Sequence, residues 1–191
     1  MRLGFQDALF KSATGLHDLL KADVVIISTQ ARCLIDMSTF PRRRLYQAMD
    51  VVGVKSAEAI YVNLIQWKNP LTKNHSTLLI VGFHADKPAF NLPEVNSQVQ
   101  KTKLPDTILL DRKTMGEYQQ VIEQVEQGIE TTTKIRKRTI NIEGLFTLGS
   151  SFGADGHLIT SDQNFFRLFP KRSAGSVSIG LIRVGNGYEA K

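Results

Sequence analysis

Apolar and polar positions along the chain change their period several times, and each change marks an element. From Phe5 to Leu20, the positions Phe5, Ala8, Leu9, Ser12, Leu16 and Leu19 recur at three- and four-residue steps, which predicts an amphipathic helix. Asp23 to Ser28, "DVVIIS", is a short apolar run that predicts a buried strand. Pro41 suits the first turn of a helix through Arg42, Arg43, Arg44, Leu45, Tyr46 and Met49, because its missing N–H has no partner there anyway. Ile60 to Trp67 alternates: Ile60, Val62 and Leu64 share one face, and Tyr61, Asn63, Ile65 and Trp67 the other. Ser76 to Phe83 is a second strand run, and the turn chemistry of the link "KNPLTKNH" joins the two as a hairpin. Residues 84–105, with Pro88, Pro93 and Pro105, read as a long and partly irregular connection.

The second half opens with the strand "DTILLD". Met115, Tyr118, Val121, Ile122 and Val125 then predict a helix that stops near Gly128. Thr131, Thr133 and Ile135, followed by Ile140 and Ile142, alternate on either side of Lys137 and predict a second hairpin with a basic turn. His157 to Thr160 is a strand introduced by an Asp155-Gly156 turn. Ser161 or Asp162 caps a short helix, "DQNFFRLF", closed by Pro170, and Val177 to Val184 is the final strand. The fold class is therefore α+β, with a mixed or antiparallel sheet and packed helices. The chain has room for two lobes, about 1–85 and 104–191, joined by the irregular connection 86–103.

Composition narrows the class. The 191 residues are 42% apolar and 22% charged, ordinary for a globular protein. No window has the roughly 18 apolar residues of a membrane span, and the N-terminal "MRLGFQDALF" lacks the apolar core of a signal peptide. The net charge of +6 admits nucleic acid, an anionic surface or an acidic protein as partner. The lone Cys33 allows no internal disulfide and no multi-cysteine zinc site.

One stretch, "GLFTLGSSFGADGH" (144–157), carries three candidate chemistries, and each meets an objection. Gly149 to Gly153 fits G-x-S-x-G around Ser151, but a nucleophile elbow needs a helix directly after the serine, and here "GADGH" and a strand follow. Gly144 and Gly149 have P-loop spacing, yet Ser150 stands where the phosphate-reaching lysine belongs. Asp155 and His157 flank Gly156, which suits a turn better than a metal site. The other histidines, His17, His75 and His84, are scattered. No catalytic, cofactor-binding or metal-ligating residue is assigned on these grounds. The basic runs are Arg42, Arg43 and Arg44, and Lys134 to Arg138. They lack the interleaved aromatics or motif of a nucleic-acid reader, so solvated surface or protein contact is the expectation, with no nucleic acid.

The fragments "LGFQDALF" (3–10), "FPRRRLYQA" (40–48), "QWKNP" (66–70), "FNLPEVN" (90–96), "KLPDTILLDR" (103–112) and "GLFTLGSSFGADGHLITSDQNFFRLFP" (144–170) occur in one order across nearly the whole chain. Together they resemble the extracytoplasmic domain of DevC, the permease of the heterocyst-type ABC exporters of cyanobacteria, a family similar to the MacB class. The resemblance implies a MacB-like periplasmic core domain over 1–191, set between two helices of an inner-membrane protein and facing the periplasm. It implies a non-catalytic role: ATP hydrolysis falls to a separate DevA-type ATPase subunit, reached through the absent membrane part. A periplasmic adaptor of the DevB or MacA type docks on the domain, a TolC-type channel continues the path, and a second permease copy completes a dimer. The implied cargo is lipid-type, a glycolipid in the heterocyst members. Arg42, Arg43, Arg44, Arg136, Lys137 and Arg138 are the candidate adaptor contacts. On this reading Met1 and Lys191 lie on one membrane-proximal side, and helix 5–20 is a lever from the first span. In "GLFTLGSSFGADGH", Gly149, Gly153 and Gly156 then serve tight turns. The competing class is a stand-alone module for an anionic ligand such as a lipid headgroup, and a hydrolase is a distant third.

Overall fold

In a computed structural model describing residues 19–31, 38–148 and 154–185, the chain forms the following elements in order. They are β1 (Val24–Ile27), β2 (Phe40–Pro41), α1 (Arg43–Met49), β3 (Val54–Lys68), β4 (His75–Phe83), α2 (Pro93–Gln98), a 3₁₀ turn (Val99–Lys103) and β5 (Thr107–Asp111). The chain continues with α3 (Gln119–Glu126), β6 (Thr132–Ile135), β7 (Arg138–Phe146), β8 (Gly156–Ser161), α4 (Asp162–Leu168), β9 (Ser176–Val177) and β10 (Ile179–Val184). The helix expected over 5–20 lies outside the described residues except for its last two positions.

Eight strands share one sheet in the order β1-β10-β3-β4-β8-β5-β7-β6, and β2 pairs with β9 in a second, two-stranded sheet. The β4–β8 and β5–β7 pairs are parallel and the others antiparallel, so the fold is α+β with a mixed sheet. Strands from both halves of the sequence alternate in this sheet: β4 bonds β8, and β10 bonds both β1 and β3. The segment 86–103 does not interrupt it.

The alternation in β3 sorts its side chains between two cores. Tyr61, Ile65 and Trp67 join Leu78, Ile80, Ile108 and Leu158 on one face, covered by Leu45 of α1, Val121 and Ile122 of α3 and Phe165 and Leu168 of α4. Ile60 and Val62 join Leu79, Val81, Leu109 and Ile159 on the other, covered by Leu20, Phe90, Val95 and Val99. Central strands buried on both faces explain the unbroken apolar runs of β4 and β5. Gly82 belongs to the first face. A Cβ there would lie 2.6 Å from Cβ of Phe165, so the glycine lets α4 close onto the sheet.

Several expectations need correction. Pro41 does not open the helix; it pairs with Ser176 in β2, and α1 starts at Arg43 behind the N-cap Arg42. The helix expected from Met115 begins at Gln119, because Gly116 takes a left-handed φ of 106° and Met115 N–H turns to the carbonyl of Asp155 at 2.6 Å. The connection 84–105 is less irregular than its prolines suggest: Pro93 opens α2, and Val95 and Val99 anchor it on the second core. The final strand breaks at Ser178, whose Oγ accepts from Val62 N–H at 3.0 Å, so Ser176 and Val177 peel away to β2. Gly156 lies within β8 and serves space: a Cβ there would meet Thr114 Oγ1 at 2.4 Å. Gly149 and Gly153 lie outside the described residues.

Asp23, just before β1, and Val184, which ends β10, adjoin. Asp23 N–H donates to the Ile182 carbonyl at 2.9 Å, and Val184 N–H donates to Asp23 Oδ2 at 2.7 Å.

Candidate functional site

The two basic runs sit at an element start and at a turn. Arg42, Arg43 and Arg44 open α1 and are exposed. Arg136 and Lys137 make the β6–β7 turn, where Arg136 has a φ of 55° and both are exposed, while Arg138 is half-buried. The runs lie far apart in sequence, yet an aromatic seam links them. Arg42 Nη1 donates to the Tyr61 hydroxyl at 3.4 Å. The Tyr61 ring lies 4.7 Å from Phe166 and 5.8 Å from Phe165. Phe165 lies 4.8 Å from Phe169, and the Arg136 guanidinium stands 5.1 Å from the Phe169 ring, within cation–π range.

Not all six basic residues are equally available. Arg136 Nη1 donates to the Leu168 carbonyl at 2.9 Å. Arg138 donates to the Arg167 carbonyl at 3.0 Å and lies 3.3 Å from Asp106. Arg167 Nη2 meets the same carboxylate at 2.8 Å, and its hydrogen bond is the main reason the Asp106 pKa falls below its ordinary value, with Arg138 adding to it. Arg44 bonds Gln47 at 3.0 Å. Arg43 and Lys137 project most simply.

The sequence reading missed two residues of the seam. Tyr61 is buried; desolvation raises its pKa, the Arg42 charge opposes this, and the retained proton goes to the Ala174 carbonyl at 3.0 Å. Arg172 bonds Ser178 Oγ at 2.9 Å, while its buried Nε has no partner among the described residues. Desolvation lowers the Arg172 pKa, and Tyr61 partly offsets it. The alternation of Ile60 to Trp67 already placed Tyr61 on an inward face; nothing local marks Arg172.

The Asp155 and His157 side chains go to different partners. Asp155 Oδ2 accepts from Thr77 N–H at 2.9 Å. His157 Nδ1 lies 3.2 Å from Asp111 Oδ2, with both residues buried. Asp111 also accepts from the N–H groups of Lys113 at 3.0 Å and Leu148 at 3.1 Å, so the pair ties β5, β8 and the end of β7 together. Among the described residues no three His, Cys, Asp or Glu converge as metal ligands. Ser150 and Ser151 lie outside them.

No family model matches this chain, and no curated protein matches it. Solved structures do. The periplasmic region of MacB from Actinobacillus actinomycetemcomitans is similar with a TM-score of 0.47 and 9% identity, over 80% of this chain and 68% of that one. The extracellular domain of the noncanonic ABC-type transporter YknZ from Gram-positive bacteria is similar with a TM-score of 0.49 and 9% identity, over 78% of this chain and 75% of that one. These likenesses concern the path of the chain and give no residue a role. Among the described residues no helix is long and apolar enough to cross a membrane.

Proposed function

We propose that this chain is the extracytoplasmic domain of a DevC-type ABC exporter permease, docking a periplasmic adaptor and passing the motion of cytoplasmic ATP hydrolysis to an export path for a lipid-type cargo. The observation that carries this reading is the contact between Asp23 and Val184. A domain inserted between two membrane helices must begin and end on one side, and here the first and last described strands are neighbours that meet at one end of the sheet. The ordered fragments named above support it independently. The basic residues at the two ends of the aromatic seam, Arg43 and Lys137 foremost, form the adaptor contact. The ATPase of the DevA type, the channel of the TolC type and a second permease copy belong to the whole assembly. Immobilised 191-residue chain should retain a purified DevB- or MacA-type adaptor, and full-length permease should lose export when this domain is replaced by an unrelated one. Failure of the chain to bind any such adaptor, with export intact after replacement, would sink the proposal.

A further inference from the structure

At the tip of the β3–β4 hairpin, the loop after Lys68 faces the edge strand β6 across a cavity of about 230 Å³. Lys68, Lys73 and Lys134 line it, together with Thr132 and Thr139, and no Asp or Glu does. None of the three lysines joins an ion pair among the described residues. Lys134 and Thr139 are direct cross-strand partners, which puts their side chains on the same face of the β6–β7 pair, and both line the cavity. Lys73 stands in the left-handed region, with φ of 65°, and its Nζ donates to the Pro70 carbonyl.

The loop is pinned from below. Buried Asn69 accepts from the N–H groups of Leu71 at 2.8 Å and Thr72 at 3.1 Å and donates to the Glu117 carbonyl at 2.9 Å. Its amide is thus committed to the frame, and so is Thr133, whose hydroxyl goes to the Lys68 carbonyl. The Glu117 carboxylate is engaged by Asn74 at 3.4 Å and does not line the cavity. A cationic rim without counter-charge on a fixed frame lowers the ordering cost of capturing an anion.

We infer that this cavity binds a phosphate-type oxyanion. Lysine ammoniums are compact charges with freely turning donors, which suit a tetrahedral oxyanion; planar carboxylate recognition favours the guanidinium fork, and no arginine lines the cavity. The volume equals the share of roughly seven or eight waters at about 30 Å³ each, room for a phosphate group together with several waters or with part of the molecule that bears it.

The oxyanion has two sources, a soluble phosphate-bearing molecule or a headgroup in a bilayer, and position favours the first. Val54, which pairs with Val184, and Lys68 are the two ends of β3. Their separation along a strand is up to about 46 Å at ~3.3 Å per residue. On the permease reading, on which this placement alone rests, the cavity faces away from the membrane.

The test titrates ¹⁵N-labelled 191-residue chain with inorganic phosphate against chloride at matched ionic strength. Amide shifts should saturate in the segments 68–73 and 132–139. The double variant Lys73→Gln/Lys134→Gln, which changes only exposed side chains, should weaken binding about tenfold per lysine removed. Lys171→Gln should leave it unchanged, and melting curves check that all variants fold. Shifts that never saturate, or that persist unaltered in the double variant, overturn the site. A second arm measures binding to phosphatidylcholine vesicles with and without phosphatidic acid. Phosphatidic acid is expected to add no binding that the double variant removes. Vesicle binding lost in that variant would keep the oxyanion site and overturn its placement away from the membrane, without bearing on adaptor capture.

Discussion

The Thr133 hydroxyl donates to the Lys68 carbonyl across 2.5 Å. This joins β6, the last strand of the sheet, to a strand that is not its neighbour in the hydrogen-bonding order. The sheet therefore curls around the core that holds Ile65, Trp67 and Ile135. Thr133→Val keeps the shape and removes the donor, leaving the Lys68 carbonyl without it. The expected loss is about 1 kcal/mol of unfolding free energy, read from the urea midpoint at unchanged slope. An unchanged midpoint would mean that the bond adds nothing net.

Gly82→Ala should destabilise by about 1–3 kcal/mol, because the new methyl group meets Cβ of Phe165 and α4 must shift. Gly128 provides the contrast. Its φ is 72° with nothing within 4 Å of the added Cβ, so strain rather than crowding opposes alanine there. Gly128→Asn should be milder than Gly128→Ala, since asparagine tolerates the left-handed region. Thermal unfolding of the three variants separates crowding from strain; equal losses for both Gly128 variants would refute the strain account.

Asp106 sits between Arg167 and Arg138 with its pKa held below the ordinary 3.8. Its contribution is fully present above pH 3.8 and is lost as pH falls through the lower folded value. Asp106→Asn suits the test because residue 106 has a φ of 58°, which asparagine accepts. The stability gap between wild type and variant should be constant above pH 3.8 and shrink below it. A gap that widens on acidification would contradict the assigned sign.

Under the proposed function, reversing charge at Arg43 and Arg44, or at Lys137, should slow adaptor association at low salt. The wild-type and variant on-rates should converge when the Debye length falls to about 3 Å near 1 M salt. Stopped-flow or surface-based kinetics measures this. On-rates untouched by both reversals would remove these residues from the contact.

Local periods were legible and long-range pairings were not. The two-residue period of Ile60 to Trp67 survives because the two cores need opposite faces of β3. The cap of α4 was visible because Ser161 Oγ accepts from Asn164 N–H, a bond between near neighbours. In contrast, the parallel β4–β8 pair depends on which apolar runs stack, and no residue in either strand names its partner. The Asp111–His157 pair was hidden for the same reason: an aspartate closing "TILLD" looks like a strand end until β8 brings the imidazole to it. The seam between the basic runs was only partly within reach: Phe165 and Phe169 meet within one helical turn, but Tyr61 meets Phe165 only after α4 folds over Gly82.

The junction of Asp23 and Val184 also decides which loads the domain can carry. β1 and β10 run antiparallel, so the start of β1 and the end of β10 are adjacent. Under the proposed function, two legs leaving that point and tilting together would press on the sheet as one body through β10, which β3 backs along its length. Two legs drawn apart would instead open the β1–β10 ladder one hydrogen bond at a time, starting at the Asp23 carboxylate, and β1 would yield first because it has no second strand neighbour among the described residues. Such a wishbone transmits lean and gives way to spread.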